Sequence, residues 1–520
     1  MESGRNVQEI ALNNPIILTQ IMKQTSTPLL TCRQVCKFWN DIVLTLPNPR
    51  LALKLNHEGA GNNNDLVPFF DLCFTLDPRL AKRIRASTCE AIHSFAAKLT
   101  YFCEKFTNNV QILEVSIEYE SCVKSVLQIL QNFCPNLKQC WISCKFGKSK
   151  NFKLHPREEK ILHVRIPIKS NLTLFTLRAR KVTPFLTNFV DMVLAAAPNL
   201  SGITLPWGVC PDLGNSTVLE SLKVEVDGRV GPCAMHVADE ILTNLSKMVD
   251  QVRDQLVTLS FGYVGRKRTA NLRWLEPENG TRFHLPGRMA KLQNFRNEMA
   301  EIFGCGDLLR NVETLKSLAI GNIFLKSGRV SEILRGIFAN KIFGSVSTLA
   351  LMEVYGDPCI LDGLRTAFPN VMRFEMDTYH YLWPDFCDKG DDMKLGAILA
   401  ACGGWGRLTY LKVTMAKYPY KIGDMIRNLL DAKELYAGLK TLQILTHDGI
   451  HPYHELTEDE ADSFKQVIAA MDGMDEVSIP ELHFSSKSEE LVRNFVASTT
   501  KLSKFNLIAG DPSEEKEDSD

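Results

Sequence analysis

The stretch that decides the fold lies at residues 123–142, which read VKSVLQILQNFCPNLKQCWI. From Val123 onward its apolar residues recur at helical spacing, which is typical of one buried helical face. Pro135 cannot continue a helix interior, so the helix is predicted to end before it. An apolar triplet follows at Leu137, Cys140 and Ile142. Its last two members alternate with polar neighbours, which predicts a short strand with one buried face.

The same apolar triplet recurs along the chain. Its thirteen occurrences begin at Val110, Leu137, Leu172, Leu200, Leu219, Leu256, Leu315, Val346, Val371, Leu408, Leu439, Met474 and Leu502. Successive starts are mostly 25 to 37 residues apart by subtraction, with exceptions of 19 (200 to 219) and 59 (256 to 315). The longest interval predicts either one more repeat or an inserted loop. Because a single unit of this size cannot bury its own apolar face, we predict a stack of units.

The dipeptide Pro-Asn directly precedes three of the triplets, those that begin at Leu137, Leu200 and Val371. Together with the spacing, this punctuation resembles leucine-rich repeats of the long, helix-containing kind. The resemblance implies an α/β fold in which parallel strands and helices build a curved solenoid.

Composition narrows the class of protein. The chain has 60 Lys and Arg against 60 Asp and Glu, so it lacks the positive excess of a protein that coats nucleic acid. No apolar run reaches the ~18 residues of a membrane span, and the polar N-terminus does not read as a signal peptide. The 15 cysteines often lie in apolar runs, which favours reduced core thiols and a cytoplasmic or nuclear location.

Residues 12–46 lack the triplet but are rich in large apolar side chains. We predict three short helices, the first begun near Pro15 and, after a break, the second carrying the apolar residues from Leu29 to Trp39. So short a segment has little core of its own. We therefore expect its apolar residues to meet a partner or the next domain.

The run LTCRQVCKFW at residues 30–39 resembles the second half of an F-box, whose signature there is Leu, a small residue, then Val-Cys-Arg/Lys-x-x-Trp. The preceding segment resembles the first half of an F-box at five positions, Leu12, Pro15, Ile17, Leu18 and Ile21. F-boxes usually open with Leu-Pro-x-Glu. Here residues 12–16 read LNNPI and the acidic residue is absent.

An F-box followed by leucine-rich repeats implies a substrate receptor of a Skp–cullin–F-box ubiquitin ligase. Its partners would be a Skp-type adaptor, the cullin scaffold and an unknown target protein held by the repeats. The resemblance assigns adaptor contacts, or the packing behind them, to Pro15, Ile17, Leu18, Ile21, Leu29, Leu30, Val35, Cys36 and Trp39. The other interpretation is that several of them, Trp39 especially, form the core of the helical module.

These patterns divide the chain into five parts. They are a disordered N-terminus at 1–11, an F-box-like helical module at 12–51, a helical linker or capping region at 52–108, a leucine-rich-repeat array at 109–510 and an acidic disordered tail at 511–520.

No motif indicates an enzyme, and we predict no catalytic residue, metal or cofactor. Gly147-Lys148-Ser149 resembles the end of a phosphate-binding loop, but Ile142 stands where the loop needs glycine. His447, His451 and His454 permit a metal site. A hydrophilic loop is the alternative that we favour, because Pro452 interrupts a helical arrangement of the three imidazoles.

Aromatic residues follow the late strands of the array. We predict that the target protein contacts Tyr379, Tyr381, Trp383, Tyr418, Tyr420 and Tyr453, since exposed Tyr and Trp in adjacent loops are typical of binding hot spots. The alternative is that these rings pack the loops themselves. Two other functions stay open: a repeat scaffold unconnected with ubiquitination, and a co-receptor that cups a small molecule.

Overall fold

The computed structural model of the chain divides into two units, Met1–Leu219 and Glu220–Asp520. The structure describes residues 12–24, 29–46, 52–55, 66–87, 92–145, 165–227, 235–236, 239–264, 274–275, 283, 285–299, 313–321, 334–335, 342–352, 359–378, 394–415, 422–446, 454–480, 484–498 and 504–506. Within these ranges, no helix has the length and apolar character that crossing a membrane requires.

The first unit opens with three short helices: α1 (Pro15–Gln24), α2 (Leu29–Arg33) and α3 (Lys37–Thr45). The elements that follow are β1 (Leu53–Leu55), α4 (Leu66–Thr75), a 3-10 helix (Pro78–Lys82), β2 (Arg83–Ser87), α5 (Ile92–Lys105), β3 (Ile112–Ile117), α6 (Ser121–Asn132), β4 (Gln139–Cys144), β5 (Leu174–Ala179), α7 (Pro184–Ala196) and β6 (Gly202–Pro206). Strands β1 to β6 pair in chain order, each parallel to the next.

The second unit continues the same alternation. Its elements are β7 (Ser221–Asp227), β8 (Met235–His236), α8 (Asp239–Val252), β9 (Thr258–Val264), β10 (Trp274–Leu275), β11 (Asn294–Asn297), β12 (Ser317–Gly321), β13 (Thr348–Met352), α9 (Cys359–Ala367), β14 (Arg373–Asp377), α10 (Leu395–Cys402), β15 (Tyr410–Met415), α11 (Ile422–Asp431), α12 (Lys433–Tyr436), β16 (Thr441–Thr446), α13 (Glu458–Ala470), β17 (Glu476–Ser478), α14 (Ser486–Ser498) and β18 (Lys504–Asn506). Strands β7, β9 and β11 to β18 form one parallel sheet, and β8 pairs with β10.

The apolar triplets form the core, as predicted. In the first twelve, every member is at most 3% exposed. The inward side chains pack on helices, as Phe175 of β5 does on Phe189 of α7, with ring centroids 6.3 Å apart. The predicted fold class is confirmed: the chain is α/β, with leucine-rich-repeat-like parallel strands and helices behind an N-terminal helical module.

The Pro-Asn punctuation has a structural reason. At the end of α6, Cys134 adopts a left-handed conformation with φ of 54° and Pro135 prevents the helix from continuing. In all three punctuations the Asn side-chain amide donates to a backbone carbonyl of the preceding repeat. These bonds are Asn136 to Asn108 at 2.9 Å, Asn199 to Ser170 at 2.9 Å and Asn370 to Gly344 at 2.8 Å. Each asparagine therefore ties one repeat to the one before it.

The longest interval between triplets contains a further repeat. Strand β11 pairs with β9 on one side and β12 on the other, with Leu292 and Phe295 buried beneath it. The third position is Asn297, which is 1% exposed and accepts a hydrogen bond from the Met299 backbone at 2.9 Å. Asn297 can be buried because the Met299 amide satisfies its side-chain oxygen. Since Asn297 is polar, this repeat does not show the apolar triplet in the sequence.

Strand pairing also begins upstream of residue 109. Strands β1 and β2 belong to the first sheet, and the inward residues Ile84 and Ala86 are fully buried. The small side chain of Ala86 hides this repeat from a search for large apolar residues.

Candidate interaction surfaces

The first helix of the N-terminal module starts at a polar cap. The Asn14 side chain accepts hydrogen bonds from the backbone amides of Ile16 at 2.9 Å and Ile17 at 3.3 Å. Pro15 occupies the first helical position, where a missing N–H costs nothing. The sequence at this point thus starts a helix well even without the acidic residue that F-boxes usually carry.

The segment contains three short helices, as predicted, but the second ends earlier than the sequence suggested. Residues 34–36 separate α2 from α3. The Cys36 thiol caps α3 by accepting from the Trp39 amide at 3.5 Å. The predicted extent of the second helix, to Trp39, was wrong because periodicity alone does not show a cap within an apolar run.

The three helices enclose a small core of their own. Its buried members are Leu18, Met22, Leu29, Cys32, Val43 and Leu46, with Phe38, Trp39 and Ile42 partly buried against them. Two of the residues assigned to adaptor contact, Leu18 and Leu29, therefore lie inside the module, and Trp39 is half-buried at its edge.

The other six assigned residues are exposed: Pro15, Ile17, Ile21, Leu30, Val35 and Cys36. Ile17 and Ile21 are each 42% exposed and lie four residues apart, on one side of α1. Leu30 and Val35 are each 58% exposed. The module thus presents aliphatic side chains to solvent although it has a core in which apolar residues are buried.

Polar contacts tie this module to the start of the first sheet. Arg79 of the 3-10 helix binds Asp41 of α3 at 2.9 Å and Asp77 at 2.7 Å, and Lys82 donates to the Leu44 carbonyl at 2.9 Å. The hydrogen bond from Arg79 lowers the pKa of the Asp77 carboxyl and raises that of the guanidinium. Burial lowers the pKa of Lys82.

The aromatic residues predicted to bind the target lie outside the described residues. This applies to Tyr379, Tyr381, Trp383, Tyr418, Tyr420 and Tyr453. Their grouping on one surface stays a prediction.

A surface that sequence reasoning missed lies on the outward side of β1 to β4. Trp141 of β4 is 36% exposed, while its neighbours Cys140 and Ile142 are buried. On β3, Glu114 accepts from Arg85 at 2.6 Å and also binds Arg83, both from β2. Successive residues of a strand point to opposite faces, so the inward assignment of Cys140 and Ile142 already implies that Trp141 points outward.

The second unit carries a polar row on its own outward strand face. The Arg373 guanidinium lies over the Tyr410 ring, 3.5 Å from its centroid. The Tyr410 hydroxyl donates to Gln443 at 3.2 Å, and Gln443 donates to Glu476 at 3.2 Å. The row spans β14 to β17 and holds these side chains in fixed positions.

Among the residues that the structure describes, no group of three His, Cys, Asp or Glu is placed to hold a metal ion. His454 lies 3.0 Å from Glu460 in the cap of α13, while His447 and His451 lie outside the described residues. Burial raises the pKa of Cys140 and Cys144 to about 12, so both thiols stay protonated at neutral pH.

Comparison with known proteins gives a remote likeness to solved structures. No protein-family model and no curated protein matches the chain. Among solved structures it is similar to a chain of the yeast Rad7 and Elc1 complex, at 14% sequence identity and a TM-score of 0.34. The match covers 86% of this chain and 96% of that chain.

Proposed function

We propose that the chain is a non-catalytic substrate receptor of a Skp–cullin–F-box ubiquitin ligase, in which the N-terminal module docks a Skp-type adaptor and the repeats hold a target protein. One observation carries the proposal. In a segment whose sequence resembles an F-box, Ile17, Ile21, Leu30 and Val35 remain exposed outside a core that already exists.

The energetics favour a partner on this surface. Exposed aliphatic area costs roughly 25 cal/mol per Å² relative to burial, and contiguous exposed apolar surface is typical of interaction sites. Burial differs among the nine assigned residues. Leu18 and Leu29 are buried in the core of the module, Trp39 is half-buried at its edge, and the other six are exposed where an adaptor would contact them.

The attachment of the module suits a receptor. Arg79 and Lys82 connect α3 to the first repeats, so an adaptor bound at the module is held close to the start of the array. A ligase receptor needs no bond chemistry of its own, because it raises the effective concentration of target lysines near the ubiquitin-conjugating enzyme. We place the protein in the cytoplasm or nucleus on its cysteine usage.

A second candidate is a repeat scaffold that has no link to ubiquitination. The observation that favours it is the start of α1, where exposed Ile16 follows Pro15 and the usual acidic residue is absent. Under this alternative the exposed aliphatic residues meet a different protein.

Affinity purification from cells, followed by mass spectrometry, separates the two candidates. The intact chain should recover a Skp-type adaptor and a cullin. Leu30→Asp should lose both, because a carboxylate cannot be buried in an apolar interface without a partner. Ile168→Asp, at a 74% exposed apolar position of the first unit outside the module, is the matched control and should recover both proteins. Recovery of other partners without adaptor or cullin would favour the scaffold.

A further inference from the structure

One row of outward side chains crosses five neighbouring strands of the first sheet. The parallel register aligns Lys54 of β1 with Arg85, Arg85 with Glu114, Glu114 with Trp141, and Trp141 with Thr176 of β5. Neighbouring strands lie about 4.8 Å apart. The row is therefore continuous, with its cations at one end and its indole ring toward the other.

Trp141 aligns with Glu114 and Thr176 on the neighbouring strands, and two aliphatic residues lie diagonal to it on the same face. The outward residues Ile112 of β3 and Leu174 of β5 both align with Gln139, which is two residues before Trp141 on the same strand. Ile112 is 8% exposed and Leu174 is half-buried, whereas Trp141 is 36% exposed, so the indole is the most accessible apolar group among the three. A large, partly exposed ring on a rigid strand is typical of the residues that dominate binding energy.

The cationic end carries more positive than negative charge. The outward positions of β1 to β4 hold Lys54, Arg83 and Arg85 against the single carboxylate of Glu114. The excess is therefore 3 − 1 = +2 on these strands. Because both arginines bind the same carboxylate, Glu114 cannot neutralise both of them.

We infer that this row is a docking site for an acidic segment of the target protein, with an apolar side chain of that segment on Trp141 and its carboxylates toward Arg85 and Lys54. The inference rests on the proposed receptor function and names the kind of target it selects. Charge complementarity of this kind steers partners and discriminates among them.

The surface chemistry favours a protein segment over a nucleic acid or a phosphorylated peptide. Single-stranded nucleic acid needs several stacking rings along a basic track, and Trp141 is the one aromatic residue at the outward positions of β1 to β4. Glu114 takes the Nε donor of Arg85 and the Nε and Nη2 donors of Arg83, so neither arginine can clamp a phosphate dianion through its Nε–Nη2 pair. What remains is diffuse positive charge beside an apolar ring.

The test is fluorescence anisotropy on the full chain, with a short labelled peptide of Glu and Asp residues around one central Leu. The acidic peptide should bind, and its affinity should fall as salt is raised. Trp141→Ala should weaken binding about tenfold or more, and Trp141→Phe should weaken it less. Arg85→Glu should also weaken binding, whereas Lys412→Glu, on an outward position of β15, should leave it unchanged.

Four results would overturn the inference. They are no binding of the acidic peptide, equal binding of a peptide with Lys in place of Glu and Asp, tighter binding of a phosphoserine peptide or of oligodeoxythymidylate, and unchanged binding by Trp141→Ala. Adaptor binding measured on the same variants keeps the two proposals apart. Trp141→Ala should lose the peptide and bind the adaptor normally. If the intact chain binds the adaptor but not the acidic peptide, the docking row is refuted and the receptor function stands.

Discussion

The guanidinium of Arg79 lies 2.9 Å from the carboxylate of Asp41, and this ion pair joins the third helix of the N-terminal module to the 3-10 helix that leads into β2. The same guanidinium binds Asp77 at 2.7 Å, which fixes its position. A module of three short helices has a small core, so contacts at its edge matter for its order.

Asp41→Asn tests this connection without disturbing the pairing of Arg79 with Asp77. Because the pair is exposed, we expect a loss of at most about 1 kcal/mol, seen as a few-fold faster amide exchange in Lys37–Thr45. Hydrogen exchange with mass spectrometry measures this. Exchange in Ser121–Asn132 of α6 is the internal control and should not change. Unchanged exchange in α3 would show that the pair does not order the module.

The Asp77–Arg79 pair predicts a pH dependence. The hydrogen bond from Arg79 lowers the pKa of Asp77 in the folded protein below the usual value near 3.9. Its stabilisation is therefore present above that value and is lost as pH falls through the lower folded pKa. Asp77→Asn keeps a side-chain oxygen for the cap but loses the charge. Thermal unfolding should separate the two proteins at neutral pH and bring them together once the pH has fallen below the lowered pKa of Asp77. A gap that persists in acid would contradict this.

Buried and exposed residues of the module should respond differently to truncation. Leu18→Ala removes a fully buried side chain and should cost about 2–5 kcal/mol, which is enough to unfold so small a module. Leu30→Ala, at 58% exposure, should change stability by less than about 0.5 kcal/mol. Limited proteolysis of residues 12–46 distinguishes them. If Leu30→Ala is cleaved as readily as Leu18→Ala, Leu30 is part of the core and not of the docking surface.

The hydrogen bonds that asparagine side chains make between repeats should contribute to the stability of the first unit. Asn136→Ala removes the bond to the Asn108 carbonyl and should destabilise the first unit by about 1 kcal/mol, as should Asn199→Ala through Ser170. Asn188→Ala, at an exposed position within α7, is the control and should be neutral or slightly stabilising, since Ala favours helix. Urea unfolding followed by circular dichroism provides the measurement. An equal loss in the control would show that the inter-repeat bonds contribute nothing.

The repeat pattern could be predicted because the core needs large apolar residues at fixed positions. Two repeats were not predicted because a polar or small residue occupies a core position in each. Asn297 is buried with its side-chain oxygen bonded to the Met299 amide, and Ala86 fills little volume beneath β2. The break before α3 was missed because Cys36 caps it with a thiol, which is an uncommon capping group.

The candidate interaction surfaces could be predicted only in part. A motif indicates which residues share a module, but burial decides which of them face solvent. That is why Leu18 and Ile17, adjacent in sequence, have opposite environments. Trp141 was not selected because the triplet pattern directs attention to inward positions, whereas a binding surface uses the outward ones.

Direct binding of a purified Skp-type adaptor to the purified full chain, by isothermal titration calorimetry, tests the central claim. The intact chain should bind, deletion of residues 1–50 should abolish binding while the repeats stay folded, and Leu30→Asp should weaken binding at least about tenfold. Trp141→Ala should bind as the intact chain does. Failure of the intact chain to bind the adaptor, or binding that survives the deletion, would contradict the assignment of the N-terminal module.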